Sequence, residues 1–146
     1  MNALLVLLLK LIVYGHIGFL LEIWFTGLHS IFVNRDKSAT ATTYLWCLPI
    51  YGFTALALEG VSEALPWPFY LKALLYVPII YGVEGLSGWT IRKIIGRIPW
   101  DYERSAWAPM GLINFKYAPF WLLVSMAFDP ITNFLTKTLH ALSLVT

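Results

Sequence analysis

The sequence predicts an all-α, polytopic membrane protein, with four transmembrane helices and an interfacial C-terminal helix in one domain, residues 1–146. Three observations lead there. Hydrophobic residues make up 59% of the chain and charged residues 12%, about half the ~25% charge of a soluble domain; mean hydropathy is +0.71. The apolar residues gather into runs near the ~20 residues that cross a ~30 Å hydrocarbon layer. Three glutamates, Glu22, Glu59 and Glu84, sit inside the three most apolar runs, where each charge costs roughly 2.5–3.5 kcal/mol and therefore calls for a purpose.

The first span is expected at about 4–26, within an apolar run that extends to Val33 and includes Lys10, His16, Glu22 and His29. Gly27-Leu28-His29 would begin an interfacial continuation. The opening residues, Met-Asn-Ala-Leu-Leu-Val, lack the basic stretch and cleavage site of a secretory signal and are read as part of this helix. At 100° per residue, Gly15, Gly18, Glu22, Thr26 and His29 share one stripe, a face turned toward protein rather than lipid. Loop one, 34–43, is polar and carries Arg35, Asp36 and Lys37.

The second span, about 44–65, has Pro49 near its start, and Gly52, Leu56, Glu59 and Glu63 on one face. Pro66-Trp67-Pro68 reads as a tight turn that makes spans two and three antiparallel neighbours. The third span, about 69–91, contains Pro78 and brings Gly82, Gly85 and Gly88 around Glu84. Loop three, 92–109, interleaves Arg92, Lys93, Arg97 and Arg104 with Trp100, Tyr102 and Trp107, a mixture suited to the headgroup layer. The fourth span, about 110–128, holds Asn114, Lys116 and Pro119 and is expected to end at Asp129-Pro130. Residues 131–145 then read as an amphipathic interfacial helix.

Orientation follows from the basic residues. Loops one and three carry Arg35, Lys37, Arg92, Lys93, Arg97 and Arg104, against Lys72, Lys137 and Lys10 elsewhere. Those loops are therefore expected in the cytoplasm and both termini outside, in a cell membrane. Glu22 and Glu84 then lie about 6 and 10 Å inside the cytoplasmic helix ends, and Glu59 about 9 Å from the opposite side.

These carboxylates are candidates to bind a cation, carry a proton or hold a polar headgroup; the plainer alternative is that each only bonds a neighbouring helix. Asp101, Asn114 and Lys116 complete the substrate or ion candidates. Lys116 can instead snorkel to the interface, and Asn114 can serve a neighbouring helix. Arg92, Lys93, Arg97, Trp100, Tyr102 and Arg104 are the expected headgroup contacts. His16, His29 and His140 form no ligand set, the lone Cys47 cannot make a metal site, and no metal or cofactor is expected. With a net charge of only +2 nothing suggests a nucleic-acid partner, and none is expected. No G-x-x-x-x-G-K-[ST], G-x-S-x-G or H-E-x-x-H occurs, which weighs against a self-contained nucleotide hydrolase or a common hydrolase.

A family resemblance rests on Asn34-Arg35, Pro49-Ile50-Tyr51-Gly52-Phe53, Glu84-Gly85-Leu86-Ser87-Gly88-Trp89, Pro99-Trp100-Asp101-Tyr102, Gly111-Leu112-Ile113-Asn114 and Trp121. Gly18-Phe19-Leu20-Leu21-Glu22 adds to it. In this order and spacing the chain, over about 18–121, resembles the small membrane family labelled "putative ABC-transporter type IV". It departs from the pattern at Thr42-Thr43-Tyr44-Leu45, where a Gly-Pro is usual, and at Arg104–Pro109. The resemblance implies a transport-related, permease-like protein, for which a separate ATPase would be required. Four short spans enclose little space, so a homo-oligomer or a partner membrane subunit is expected. Two other readings stay open: an enzyme acting on a lipid headgroup, with Asp101, Glu22 or Glu84 as acid or base, and a noncatalytic scaffold.

Overall fold

The computed structural model describes residues 3–100, 102–103 and 105–141. Among these the regular structure is all helical: α1 (Ala3–Phe32), α2 (Cys47–Ala64), α3 (Phe69–Ile95) and α4 (Ala118–Ala141), with 3₁₀ turns at Pro109–Gly111 and Phe115–Tyr117. Two of these helices are long and apolar enough to cross a membrane, over Leu4–Phe32 and Phe69–Ile95. The fold divides into two compact units, the first spanning Ala3–Leu56 and the second running from Ala57 onward.

In the first unit α1 continues unbroken through Gly27, so the span and its expected continuation are one helix of 30 residues. At 1.5 Å per residue it measures about 45 Å, longer than a hydrocarbon core. Leu8, Ile12, Leu20, Trp24 and Leu28 are exposed along it. The glycine stripe packs against the start of α2. A Cβ on Gly15 would lie 2.5 Å from the Leu48 carbonyl oxygen, one on Gly18 would lie 2.5 Å from the Tyr51 Cβ, and one on Gly52 would lie 2.6 Å from the Leu11 oxygen. Backbones this close tolerate no side chain, which is the physical reason for small residues on that face. Pro49 falls in the first turn of α2, where its missing N–H costs nothing.

In the second unit the remainder of α2 turns through Pro66-Trp67-Pro68 into α3, and α3 packs along α4. Leu58, Tyr76 and Ile80 form the core, with Val61, Ile79, Trp121 and Phe128 packed around it. The Tyr76 and Phe128 rings meet edge to face at 5.4 Å. Helix α3 passes through Pro78 and runs one turn beyond the expected end, to Ile95. Gly96 stops it at φ 78°, donating its N–H to the Arg92 carbonyl. This left-handed cap is open to glycine at little steric cost.

The fourth apolar run is not one helix from residue 110. Met110 (φ 55°) and Gly111 (φ 70°) turn the backbone left-handed, and Asn114 is extended. Regular helix starts only at Ala118, with Pro119 in its first turn. At the other end, Asp129-Pro130 does not terminate the helix, nor does a separate helix begin at residue 131; α4 runs through both to Ala141. Pro130 deletes a single backbone donor, and tertiary contacts made by Asp129 outweigh that loss.

Candidate functional site

Polar groups collect in three places, each within one unit. In the first unit, Glu22 on α1 accepts a hydrogen bond from the Thr43 hydroxyl at 2.6 Å. Thr26, one turn on, donates back to the Glu22 carbonyl at 2.9 Å and accepts the Thr42 N–H at 3.1 Å. Loop one thus closes onto the carboxylate stripe of α1, and buried Cys47 lies close enough to interact with Glu22. The loop is organised by Asp36, whose carboxylate accepts from the Ser30 hydroxyl (3.1 Å), the Ser38 N–H (2.9 Å) and the Ser38 hydroxyl (2.5 Å). Hydrogen bonds from Ser38 foremost, with Thr40 and Ser30, hold that carboxyl well below the usual carboxylate range.

The second place lies where α3 meets the turns before α4. Glu84 is half-buried and near enough to the Tyr81 and Tyr117 phenols to interact with both. The Tyr81 hydroxyl donates to the Asn114 carbonyl at 3.1 Å, and its ring meets Phe115 edge to face at 5.2 Å. The buried Asn114 amide oxygen accepts the Lys116 N–H at 3.1 Å and the Ser105 hydroxyl at 3.3 Å, capping the second 3₁₀ turn.

Loop three folds back over this region. The Trp100 indole donates to the Leu112 carbonyl at 3.0 Å, and the ring lies where a Gly88 Cβ would sit, 3.1 Å away. The Trp107 carbonyl accepts the Phe115 N–H at 3.0 Å, and Tyr102 leans on Tyr117 at 5.8 Å. Gly111 is required here twice over: its φ is positive, and a Cβ would lie 2.8 Å from Glu103.

The third place joins three elements of the second unit. Lys72 on α3 forms an ion pair with Asp129 on α4, both side chains under 10% exposed. The Tyr76 hydroxyl donates to Asp129 at 2.7 Å, the Ser62 hydroxyl of α2 donates to it at 3.1 Å, and the Lys72 ammonium donates to Ser62 at 2.8 Å. Every charge is compensated, the condition under which a buried pair survives.

The sequence-derived candidates separate accordingly. Glu84 and Asn114 share one neighbourhood, Glu22 belongs to the other unit, and Glu59 is half-buried on α2. Lys116 is exposed. Of the expected headgroup contacts, Lys93 and Arg97 are exposed, Arg92 is partly buried, and Lys93 stands 5.6 Å over the Trp89 ring. Trp100 is 8% exposed and serves the loop's own packing; Trp89 and Trp107 carry the exposed indoles instead. Asp101 and Arg104 lie outside the described residues, as does the side chain of His140. No group of His, Cys, Asp or Glu fit to hold a metal occurs among the described residues. Sequence reasoning missed Lys72, Asp129, Ser62 and Tyr76. The signal that found the glutamates, a charge inside an apolar run, was present at Lys72 and at Asp129 too.

An all-α chain with two helices long and apolar enough to cross a bilayer, and with large apolar side chains exposed along both, has the features of a helical membrane protein. The family model described as "Putative ABC-transporter type IV" matches residues 9–145, and the chain belongs to that family. This agrees with the motifs from Gly18 to Trp121, and the match extends past them in both directions. No solved structure matches the chain.

Proposed function

We propose that this protein is a permease-like membrane component of a transport system driven by a separate ATPase. In this reading four helical segments cross the cell membrane, loops one and three lie in the cytoplasm, and Glu22, Glu59 and Glu84 present carboxylates to polar interior surfaces. The observation that carries it, beside the family match, is Glu84: a carboxylate on an apolar helix, set among Tyr81, Tyr117 and the Asn114 turn. A side chain of that kind inside a membrane helix is a substrate, ion or proton site by default. Tyr81 and Tyr117 supply phenols beside the carboxylate, and Asn114 fixes the backbone that carries Tyr117. The set offers a negative charge with two phenols nearby, suited to a cation or a proton in transit. These 146 residues carry no phosphate-binding loop, which in this reading leaves ATP hydrolysis to a separate ATPase.

The test is purification of the tagged chain from its own membrane in mild detergent, followed by an ATP hydrolysis assay. The reading predicts hydrolysis in the complex and none in the chain made without a partner. Absence of hydrolysis in material that is folded and drawn from the native membrane would count against the ABC-type assignment.

A further inference from the structure

The Lys72–Asp129 assembly lies at one end of the α3–α4 seam, beside the turn that joins α2 to α3. Lys72 is in the first turn of α3 and Ser62 in the last turn of α2. Asp129 immediately precedes Pro130, whose ring nitrogen cannot donate to the carbonyl of Met126. Helix α4 therefore has a missing rung next to the residue that ties it to α2 and α3. Pro78 makes an equivalent gap in α3, two residues beyond Tyr76. A strong polar tie set beside weakened points in both helices is the arrangement of a catch next to a hinge.

Behind the tie is a second, independent observation. Ser125 lies one turn before Asp129 on the same face of α4 and is 1% exposed. Among the described residues its hydroxyl has no hydrogen-bond partner, not even the helix carbonyl that serines in helices ordinarily use. A fully buried hydroxyl left unsatisfied in one conformation is accounted for by another in which water or a polar solute reaches it. A buried ion pair is also no better for stability than well-packed apolar residues of similar volume, so stability alone does not explain Lys72 and Asp129.

We infer that the Lys72–Asp129 pair, with Tyr76 and Ser62, is a latch closing the turn end of the α3–α4 seam, and that its release admits water and small polar solutes to Ser125. The latch takes its purpose from the transport reading, as the barrier on one side of a permeation route. Its opening is measurable without transport. Tyr76 and Ser62 both donate to Oδ1 of Asp129 while Lys72 pairs with Oδ2, so that α4 cannot slide along α3 while the latch is shut. The part of α4 beyond Pro130, as far as Ala141, moves as a strap when it opens.

The experiment introduces Ser125→Cys in a Cys47→Ala background, in the full chain reconstituted in lipid nanodiscs, and follows modification by a small water-soluble methanethiosulfonate. The parent reacts slowly. Lys72→Met or Asp129→Asn, each cutting the tie, raises the rate roughly tenfold or more, the size expected when local opening loses its main restraint. The exchanged pair, Lys72→Asp with Asp129→Lys, returns the rate to within about twofold of the parent, because the attraction is restored. Ser62→Ala, which weakens the tie without stranding a charge, gives an intermediate rate and decides the matter if the stronger variants do not fold. Rates unchanged in Ser62→Ala and in every folded single variant would overturn the latch. So would a parent that already reacts as fast as an exposed cysteine. Failure of the ATP hydrolysis assay with labelling responsive removes the transport reading and leaves the latch; hydrolysis with unresponsive labelling does the reverse.

Discussion

Removing one partner of the Lys72–Asp129 pair should cost more than removing both. The two side chains are 9% and 8% exposed, so neither lone charge can be rescued by water. Asp129→Leu would leave the Lys72 ammonium with only the Ser62 hydroxyl as acceptor and would strip the Tyr76 hydroxyl of its acceptor. A stranded buried charge of this kind costs about 3–5 kcal/mol, a shift in Tm on the order of 10 °C for a chain of this size. Lys72→Met should be somewhat milder, because the Asp129 carboxylate keeps the Tyr76 and Ser62 donors. The double variant, Lys72→Met with Asp129→Leu, strands no charge and should recover most of the loss, ending about 1–3 kcal/mol below the parent because the buried Tyr76 hydroxyl still lacks its acceptor. The assay is thermal unfolding of the four proteins in one detergent, completed as a double-mutant cycle. A coupling energy near zero, or a double variant as unstable as the sum of the singles, would refute the reasoning that the charges are mutually compensated in a dry seam.

Three further outcomes follow from the packing and the loops. Gly15→Val should separate α1 from the start of α2, since even a Cβ at that position would sit 2.5 Å from a backbone oxygen that cannot swing aside; a loss of about 1–3 kcal/mol is expected, and an unchanged Tm would contradict the close approach. Trp100→Phe keeps the ring against Gly88 but leaves the Leu112 carbonyl without its indole donor, costing about 1–3 kcal/mol and raising amide exchange at Phe115 on the neighbouring turn. Asp36 has its folded pKa depressed, so the stability it lends loop one is fully present above the unfolded value of about 3.9 and is lost as pH falls through the lower folded value. Amide exchange protection at Ser38, corrected for the intrinsic rate, should therefore hold steady from neutral pH down to about 4 and collapse only in stronger acid; a loss between pH 7 and 5 would show that some other group organises the loop.

Much of this was legible because the signals are local. The apolar runs locate α1 and α3, and the 3.6-residue stripe of Gly15, Gly18 and Glu22 identifies the face of α1 that meets protein. What escaped depends on partners distant in sequence. Asp129-Pro130 carries every local mark of a helix stop, yet α4 continues because Lys72, Tyr76 and Ser62 receive the carboxylate. Lys72 reads as an interfacial lysine at a helix start, since hydropathy cannot see a carboxylate on another helix. The break between residues 110 and 117 was hidden by the apolar character of Met110 to Ala118. Its determinants are a left-handed Met110, which the residue type does not suggest, and Asn114, which caps a short turn instead of lying on a helix face. The Trp100 loop shows the limit from the other side: the motif marks it as special, but an aromatic among basic residues reads equally as a headgroup anchor or a packing element, and burial decides between them.

In the proposed function Glu84, a carboxylate on a helix able to cross a membrane, serves transport. Its most direct test is ATP-dependent uptake of labelled ionic solutes (amino acids, phosphate and divalent cations) into inverted membrane vesicles and into right-side-out vesicles carrying an internal ATP-regenerating system, comparing the parent with Glu84→Gln. At least one solute is expected whose uptake requires the parent chain and falls roughly tenfold or more in the variant, with insertion and Tm preserved, since only the charge is removed from a site that uses it. Equal uptake of every solute by parent and variant, with both proteins inserted and folded, would contradict it.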